Sequence, residues 1–146
     1  MYRKEWITGV TTKEWFSLYS TFKSELSLSF YLVELKHVKA RNLFIRLRLG
    51  VSQLMPHKLR FVSNADCTHL FCPFCKNTLE SEVHFVLICP RYAELREMYI
   101  AKKYYNCPSL FKLSHLFAST NKSLLLNLAS YIFKAFQIRN SAAVDS

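Results

Sequence analysis

The chain contains almost no glycine and almost no aspartate. Of its 146 residues, only Gly9 and Gly50 are glycine, and only Asp66 and Asp145 are aspartate. Phosphate-binding loops, dinucleotide-binding fingerprints and nucleophile elbows need several closely spaced glycines, so the sequence excludes them. A two-metal polymerase or nuclease needs several carboxylates around a pair of ions, and the scattered glutamates form no such set with either aspartate. We therefore expect no catalytic residues and no enzymatic activity from this chain alone.

Targeting and membrane-spanning segments are also lacking. The sequence begins with charged residues and has no apolar signal-peptide core. Its longest apolar stretch, residues 124–133, is interrupted by Asn127 and Ser130 and is too short to cross a bilayer. We therefore expect an intracellular protein, cytoplasmic or nuclear, with no membrane partner. Clustered cysteines in such a reducing compartment are typical of metal ligands and not of disulfides.

What is present is enough apolar material for one core. The hydrophobic fraction is 51%, and no repeat or linker divides the sequence, so we predict a single small domain over residues 1–146. The expected fold is mainly α with a few short strands, an α+β class with a structural zinc knuckle. The apolar spacing predicts helices that start near Thr11 and that cover 36–49, 81–88, 91–104 and 121–140, the last one buried. Alternating apolar residues over 26–32 predict a strand. Gly50 follows the helix predicted over 36–49 and is placed to end it.

The positive charge is unevenly distributed. The chain has twenty Lys and Arg and ten Asp and Glu, which gives a net charge of +10, and residues 35–65 contain no acidic residue. A basic segment over 36–60, comprising a helix and the residues after it, is therefore the candidate nucleic-acid-binding surface. Its candidate phosphate ligands are Lys36, Lys39, Arg41, Arg46, Arg48, Lys58 and Arg60. The alternative is an ordinary solvated helix face.

The most informative segment is residues 67–96. It contains Cys72, Cys75, His84 and Cys89 with the spacing Cys-x2-Cys-x8-His-x4-Cys. Two thiolates separated by two residues hold an ion from a tight turn, and an imidazole and a third thiolate complete a tetrahedral site. The spacing predicts one structural zinc ion, because four protein ligands leave no open position for water or substrate.

The placement of the last ligand needs a local break in the helix. Residues five apart on an ideal α-helix point about 140° away from each other, so His84 and Cys89 could not share an ion. Pro90 disfavours helical geometry at Cys89, so we expect the helix to end near Ile88. Glu80 lies four residues before His84, and we expect it to accept a hydrogen bond from the other ring nitrogen of that histidine.

Other interpretations of this segment stay open. The cysteines could be free thiols buried near a core histidine, or one of them could form a catalytic pair with His84. Cys67 and His69 flank the set and could replace one of the four ligands.

Several motifs together resemble a known family. The sequence is similar to the zinc-binding segment C-terminal to the reverse transcriptase of LINE-like, non-LTR retrotransposons. The resemblance covers residues 26–97 well and extends loosely to the last helix, although Ser81 and Val83 depart from its commonest form. The matching motifs are Arg46-Leu47-Arg48-Leu49-Gly50, the turn Cys72–Cys75, and Glu80-Ser81-x-x-His84-Phe85-Val86-Leu87-x-Cys89-Pro90-x-Tyr92-x-x-x-Arg96.

This resemblance implies a binding role. In such a family member the zinc region helps to bind RNA or target DNA, and a polymerase domain normally precedes it. The chain would then be a detached module that contacts nucleic-acid phosphates and, in its parent element, the upstream polymerase domain. The alternative hypothesis is a zinc-stabilised protein-interaction or scaffold domain without direct nucleic-acid contact, whose apolar last helix is the partner-binding face.

Overall fold

The computed structural model describes residues 29–58 and 70–144. In these ranges the α-helices are α1 (Phe30–Glu34), α2 (Val38–Arg48), α3 (Met55–Lys58), α4 (Ala93–Tyr99), α5 (Lys102–Tyr105), α6 (Leu110–Phe117) and α7 (Lys122–Val144). A π-helical turn over His84–Ile88 and a 3-10 turn over Pro90–Tyr92 precede α4. The predicted helix start at Thr11, and also Arg60, Cys67 and His69, lie outside the described residues.

The expected α+β class is wrong, because the described residues are mainly helical and contain no strand. Their only β pairing is an isolated bridge between Phe71 and Leu79. The part of the predicted 26–32 strand that the structure describes belongs to α1. Its apolar pattern also fits a helix, since Tyr31 and Leu35, four residues apart, are both buried.

Helix α2 has a clear start and stop. Nδ1 of His37 accepts a hydrogen bond from the amide of Ala40 at 3.1 Å, which caps the first turn. At the other end Gly50 adopts a left-handed conformation with φ of 67°. The amides of Gly50 and Val51 bond the carbonyls of Leu47 and Arg46 at 3.2 and 2.9 Å, which is a Schellman motif. The prediction that Gly50 ends this helix is confirmed.

Helix α7 is the centre of the hydrophobic core and packs along α2 and α4. The prediction that this last helix is buried is confirmed by its inward residues, Leu125, Leu128, Ala129, Tyr131, Ile132, Ala135 and Phe136. The ring of Phe44 on α2 joins the core to its neighbours, lying 5.2 Å from Tyr31 and 5.5 Å from Phe117 between ring centroids. No described helix is long and apolar enough to cross a bilayer.

The single helix predicted over 91–104 is divided. The 3-10 turn, α4 and α5 replace it, and α4 ends where Ile100 becomes extended, with φ of −118° and ψ of 129°. Ile100 is buried. The break turns its side chain into the core and sets α5 apart from α4.

Candidate metal centre

The first two cysteines lie in a tight turn between residues 70 and 80. The amide of Lys76 bonds the carbonyl of Cys72 at 2.8 Å, and the amide of Cys72 bonds the carbonyl of Thr78 at 2.7 Å. Lys76 has a positive φ of 62°, which lets the chain reverse immediately after Cys75. The amide of Glu80 then bonds the carbonyl of Leu70 at 3.0 Å and closes the loop.

The other two ligands lie at the ends of the π-helical turn. The hydroxyl of Ser81 accepts from the amide of His84 at 3.1 Å and caps residues 82–88. The amide of Cys89 then bonds the carbonyl of His84 at 2.7 Å, a bond between residues five apart. Cys89 itself is extended, with ψ of 122°. The sequence correctly predicted that the helix ends at Ile88, but it did not predict the π-helical hydrogen bond.

The structure brings the four predicted ligands together. One ligand atom from each of Cys72, Cys75, His84 and Cys89 lies within 4.8 Å of all the others. The sulfur of Cys89 is 3.8 Å from the sulfurs of both Cys72 and Cys75. Bonded sulfurs would be about 2.0 Å apart, and these described cysteines are free thiols. Sulfurs at the corners of a zinc tetrahedron, each about 2.3 Å from the ion, are about 3.8 Å apart.

The imidazole of His84 supports a metal in this position. His84 is buried, and neither of its ring nitrogens has a hydrogen-bond partner among the described residues. A buried polar atom without a partner is costly, and a coordinated ion would provide one. Burial lowers the pKa of His84, so the ring is neutral at pH 7 and has a lone pair available for a metal.

Burial favours the protonated form of two of the thiols, those of Cys75 and Cys89. Burial raises the pKa of Cys75, and burial together with the neighbouring thiols raises the pKa of Cys89 to about 12. A bound cation must therefore displace protons from these sulfurs. The charge of that ion would replace the thiol protons.

Glu80 has a different role from the one predicted, which is a correction to the sequence analysis. Its carboxylate accepts from Nε and Nη2 of Arg139 at 2.6 and 2.8 Å, and from the amide of Met55 at 2.7 Å. It therefore does not accept from His84. The pair is buried on both sides. Burial opposes the charge on Arg139, but the hydrogen bonds and charge of Glu80 raise the pKa of Arg139 above its usual value.

Two further residues hold the π-helical turn, and sequence reasoning gave them no role. Arg96 of α4 is buried and donates to the carbonyls of Val86 and Cys89 at 2.9 and 2.8 Å. The hydroxyl of Tyr131 on α7 donates to the carbonyl of Phe85 at 2.7 Å. The bonds to Phe85 and Val86 occupy carbonyls that the end of a helix leaves without partners, while the carbonyl of Cys89 also accepts from the amide of Tyr92 at 3.3 Å. Arg96 belongs to the family-like motif, but only the structure shows what it contacts.

The predicted phosphate ligands divide into several groups. Lys36, Lys39 and Arg46 are exposed, whereas Arg41 is half-buried and donates to the carbonyl of Leu35 at 3.4 Å. Arg48 is only 5% exposed, donates to the carbonyl of Phe117 at 3.2 Å and lies over the ring of Tyr31. Arg48 is therefore a core residue and not a phosphate ligand. The side chain of Lys58 and all of Arg60 lie outside the described part of the chain.

The exposed cations line two adjoining hollows between α2 and α7. The first, about 250 Å³, includes Lys36 and Lys134, and the second, about 330 Å³, includes Lys39 and Arg46. Phe133 belongs to both. The lining residues that the structure describes include no carboxylate. We call this surface the α2–α7 groove.

Fold and site together define a small helical protein with a largely buried Cys3His cluster that can hold a metal ion. The chain matches no protein-family model, no curated protein and no solved structure.

Proposed function

We propose that this chain is a zinc-stabilised, nucleic-acid-binding module like the segment that follows the reverse transcriptase in LINE-like retrotransposon proteins. The observation that carries the proposal is the Cys3His cluster, whose sulfur separations of 3.8 Å fit a tetrahedral ion. The motif resemblance supports the nucleic-acid role. The proposed activity is binding and not catalysis, in an intracellular reducing compartment, cytoplasmic or nuclear, where thiols remain available to a metal.

Zinc is the ion that suits this set of ligands best. Three thiolates and one imidazole are soft and borderline donors, and tetrahedral coordination by such donors is typical of structural zinc. Cys72, Cys75, His84 and Cys89 would all bind the ion and leave no open position. In this proposal the ion joins the turn at Cys72–Cys75 to the π-helical turn.

The α2–α7 groove is the proposed contact for the phosphates of RNA or DNA. Lys36, Lys39 and Arg46 are exposed there, and the acidic residue nearest along the chain, Glu34, is paired with Lys122 at 3.2 Å. Binding by such cations releases counterions from the nucleic acid, so affinity falls as salt rises. The upstream polymerase domain of a parent element remains a further proposed partner.

The scaffold hypothesis has less support from the geometry. It requires the apolar face of the last helix to be free for a partner, but that face of α7 is buried against α2 and α4. The part of the chain that the structure describes therefore does not present this face to a protein.

Salt-dependent binding tests the proposed function. We expect the full-length protein to bind a 5′-labelled single-stranded RNA or DNA 12-mer in fluorescence anisotropy. The three phosphate contacts of the groove should contribute about −2 to the slope of log K against log salt, and each of Lys39→Ala and Arg46→Ala should reduce the magnitude of the slope by about 0.7.

Lys122→Ala is the matched control, because Glu34 already neutralises the charge of Lys122; this variant should leave the slope unchanged. Absence of binding to RNA, single-stranded DNA and duplex DNA at low salt would refute the nucleic-acid role. Self-association or a protein complex under the same conditions would then favour the scaffold hypothesis.

A further inference from the structure

An exposed aromatic side chain lies where α5 and α6 meet. Phe111 is 79% exposed, although phenylalanine is among the residues most often buried. It lies in the first turn of α6, whose opposite face carries the buried residues Leu113 and Phe117. Packing against the residues that the structure describes therefore does not explain the position of Phe111.

Phe111 belongs to a row of three rings. Its centroid is 6.5 Å from that of His115, and the planes are inclined by 35°. His115 in turn is 6.2 Å from Tyr104 of α5, with an inclination of 33°. Phe111 and His115 are both exposed, whereas Tyr104 is buried and belongs to the core. The row surrounds a hollow of about 190 Å³.

Two lysines complete the walls of this hollow. Nζ of Lys103 lies 5.1 Å from the centroid of Tyr104, and Lys112 donates to the carbonyl of Asn106. The lining residues that the structure describes include no carboxylate. The wider sequence strengthens the charge, since residues 98–144 contain no acidic residue at all.

We propose that Phe111 and His115, with the buried ring of Tyr104 next to His115, form a stacking site for an unpaired base of single-stranded nucleic acid, with Lys103 and Lys112 contacting the adjoining phosphates. The inference rests on the proposed function, and it adds a contact on α5 and α6 to the one proposed in the α2–α7 groove. It also specifies a single strand, since a base in a duplex is stacked on its neighbours.

The combination of rings and cations favours this ligand over a protein. Proteins that bind single strands place aromatic rings under successive bases and positive charge along the backbone. A purely apolar protein partner would not need the lysines, and an acidic peptide would not need the row of rings. A nucleotide uses both, because its base has a π face and its phosphate is anionic.

The test separates the base from the phosphate. Affinity is measured by anisotropy for dT12, for U12 and for an abasic dT12 analogue that keeps the phosphates but lacks the bases. Phe111→Ala should weaken dT12 or U12 binding about fivefold to a hundredfold, the loss typical of one stacked base. Binding of the abasic strand should not change. The U12 and dT12 arms show whether RNA or DNA is preferred.

Three controls keep the result specific. Phe111→Trp should keep the affinity that Phe111→Ala loses, because the indole supplies a larger stacking face. Met98→Ala truncates another apolar side chain, 67% exposed, and should change nothing. The salt slope of Phe111→Ala should equal that of the parent, whereas Lys39→Ala lowers it. Circular dichroism should show the parental fold, since Phe111 contributes little to the core.

The outcomes distinguish the two proposals. If the parent binds but Phe111→Ala binds all strands equally well, the stacking site is wrong and the proposed function stands. If Phe111→Ala weakens the abasic strand as much as dT12, the effect is not stacking and the site is again wrong. If the parent binds no strand, both proposals fail. Loss of self-association in Phe111→Ala without loss of strand binding would identify a protein contact instead.

Discussion

At the residue scale, the buried ion pair between Glu80 and Arg139 is the most consequential contact beside the metal centre. The two residues are 59 positions apart in the sequence and connect the chain between Cys75 and His84 to α7. The carboxylate of Glu80 also accepts a hydrogen bond from the amide of Met55, so it joins three parts of the chain. Removing one partner of such a pair leaves a buried charge without compensation.

We predict that Arg139→Met destabilises the protein by about 3–5 kcal/mol, the usual cost of breaking a buried pair from one side. Urea unfolding, with the slope m compared between variants, measures the change. The matched control is Lys122→Met, which breaks the pair with Glu34; Lys122 is 66% exposed, so its loss should cost at most about 1 kcal/mol. Equal losses in the two variants would contradict the structural role of Arg139.

Single residues also show where sequence reasoning reached its limit. The four ligands were predictable because their spacing is local and their chemistry is distinctive. The burial of Arg48 was not predictable, because Arg46 and Arg48 look alike in the sequence. Arg46 is exposed, whereas Arg48 lies over the ring of Tyr31 in the core. The partner of Glu80 was also beyond reach, because a contact across 59 residues leaves no local pattern.

At the scale of elements, α2 shows how strongly local signals can determine a helix end. Gly50 takes φ of 67°, and its amide and that of Val51 occupy the last carbonyls of the helix. A left-handed conformation costs a residue with a Cβ roughly 1–2 kcal/mol. This requirement was visible in the sequence as a glycine after the last apolar position.

We predict that Gly50→Ala lowers the free energy of unfolding by about 1–2 kcal/mol, because the Schellman motif must be kept at a steric cost. Gly50→Asn should lose less stability than Gly50→Ala, since asparagine tolerates the left-handed region better than alanine does. Chemical denaturation monitored at 222 nm gives both values. A result in which alanine is as stable as glycine would mean that the helix ends differently in solution.

Other elements were less predictable from their apolar pattern. The short helix α1 begins within the 26–32 pattern, which also fits a strand. The burial of Tyr31 and Leu35, four residues apart, favours the helix. The π-helical turn depends on tertiary contacts as well as sequence. Pro90 prevents the helix from continuing, but Arg96 and Tyr131 supply the hydrogen bonds that hold its carbonyls.

At the scale of the whole molecule, the Cys3His cluster is packed into the hydrophobic core. Cys72 and Cys89 are buried in the same core cluster as Phe85 and the inward residues of α7. The turn that carries Cys75 packs against the next segment, with Phe74 beneath the guanidinium of Arg91 and 5.9 Å from the ring of Tyr92. Loss of the ion should therefore affect more than the residues that bind it.

We predict that the purified protein contains about one zinc per chain and that chelation lowers its melting temperature, because metal binding to the native state contributes to folding free energy. Inductively coupled plasma mass spectrometry and thermal unfolding with and without EDTA measure both quantities. Cys75→Ser should lose most of the metal and melt at the same temperature with or without chelator. Cys107→Ser is the matched control, since Cys107 is an exposed thiol outside the cluster, and it should behave as the parent does.

The comparison of Cys75→Ser with the parent also decides between zinc coordination and simple burial of the thiols. If the cysteines were only core residues, Cys75→Ser would melt below the parent by the same amount with and without chelator. A metal-linked fold instead makes the difference between parent and Cys75→Ser disappear once EDTA is present, because both proteins then lack the ion. That convergence requires coordination by Cys75, since no loss of packing alone would be removed by a chelator.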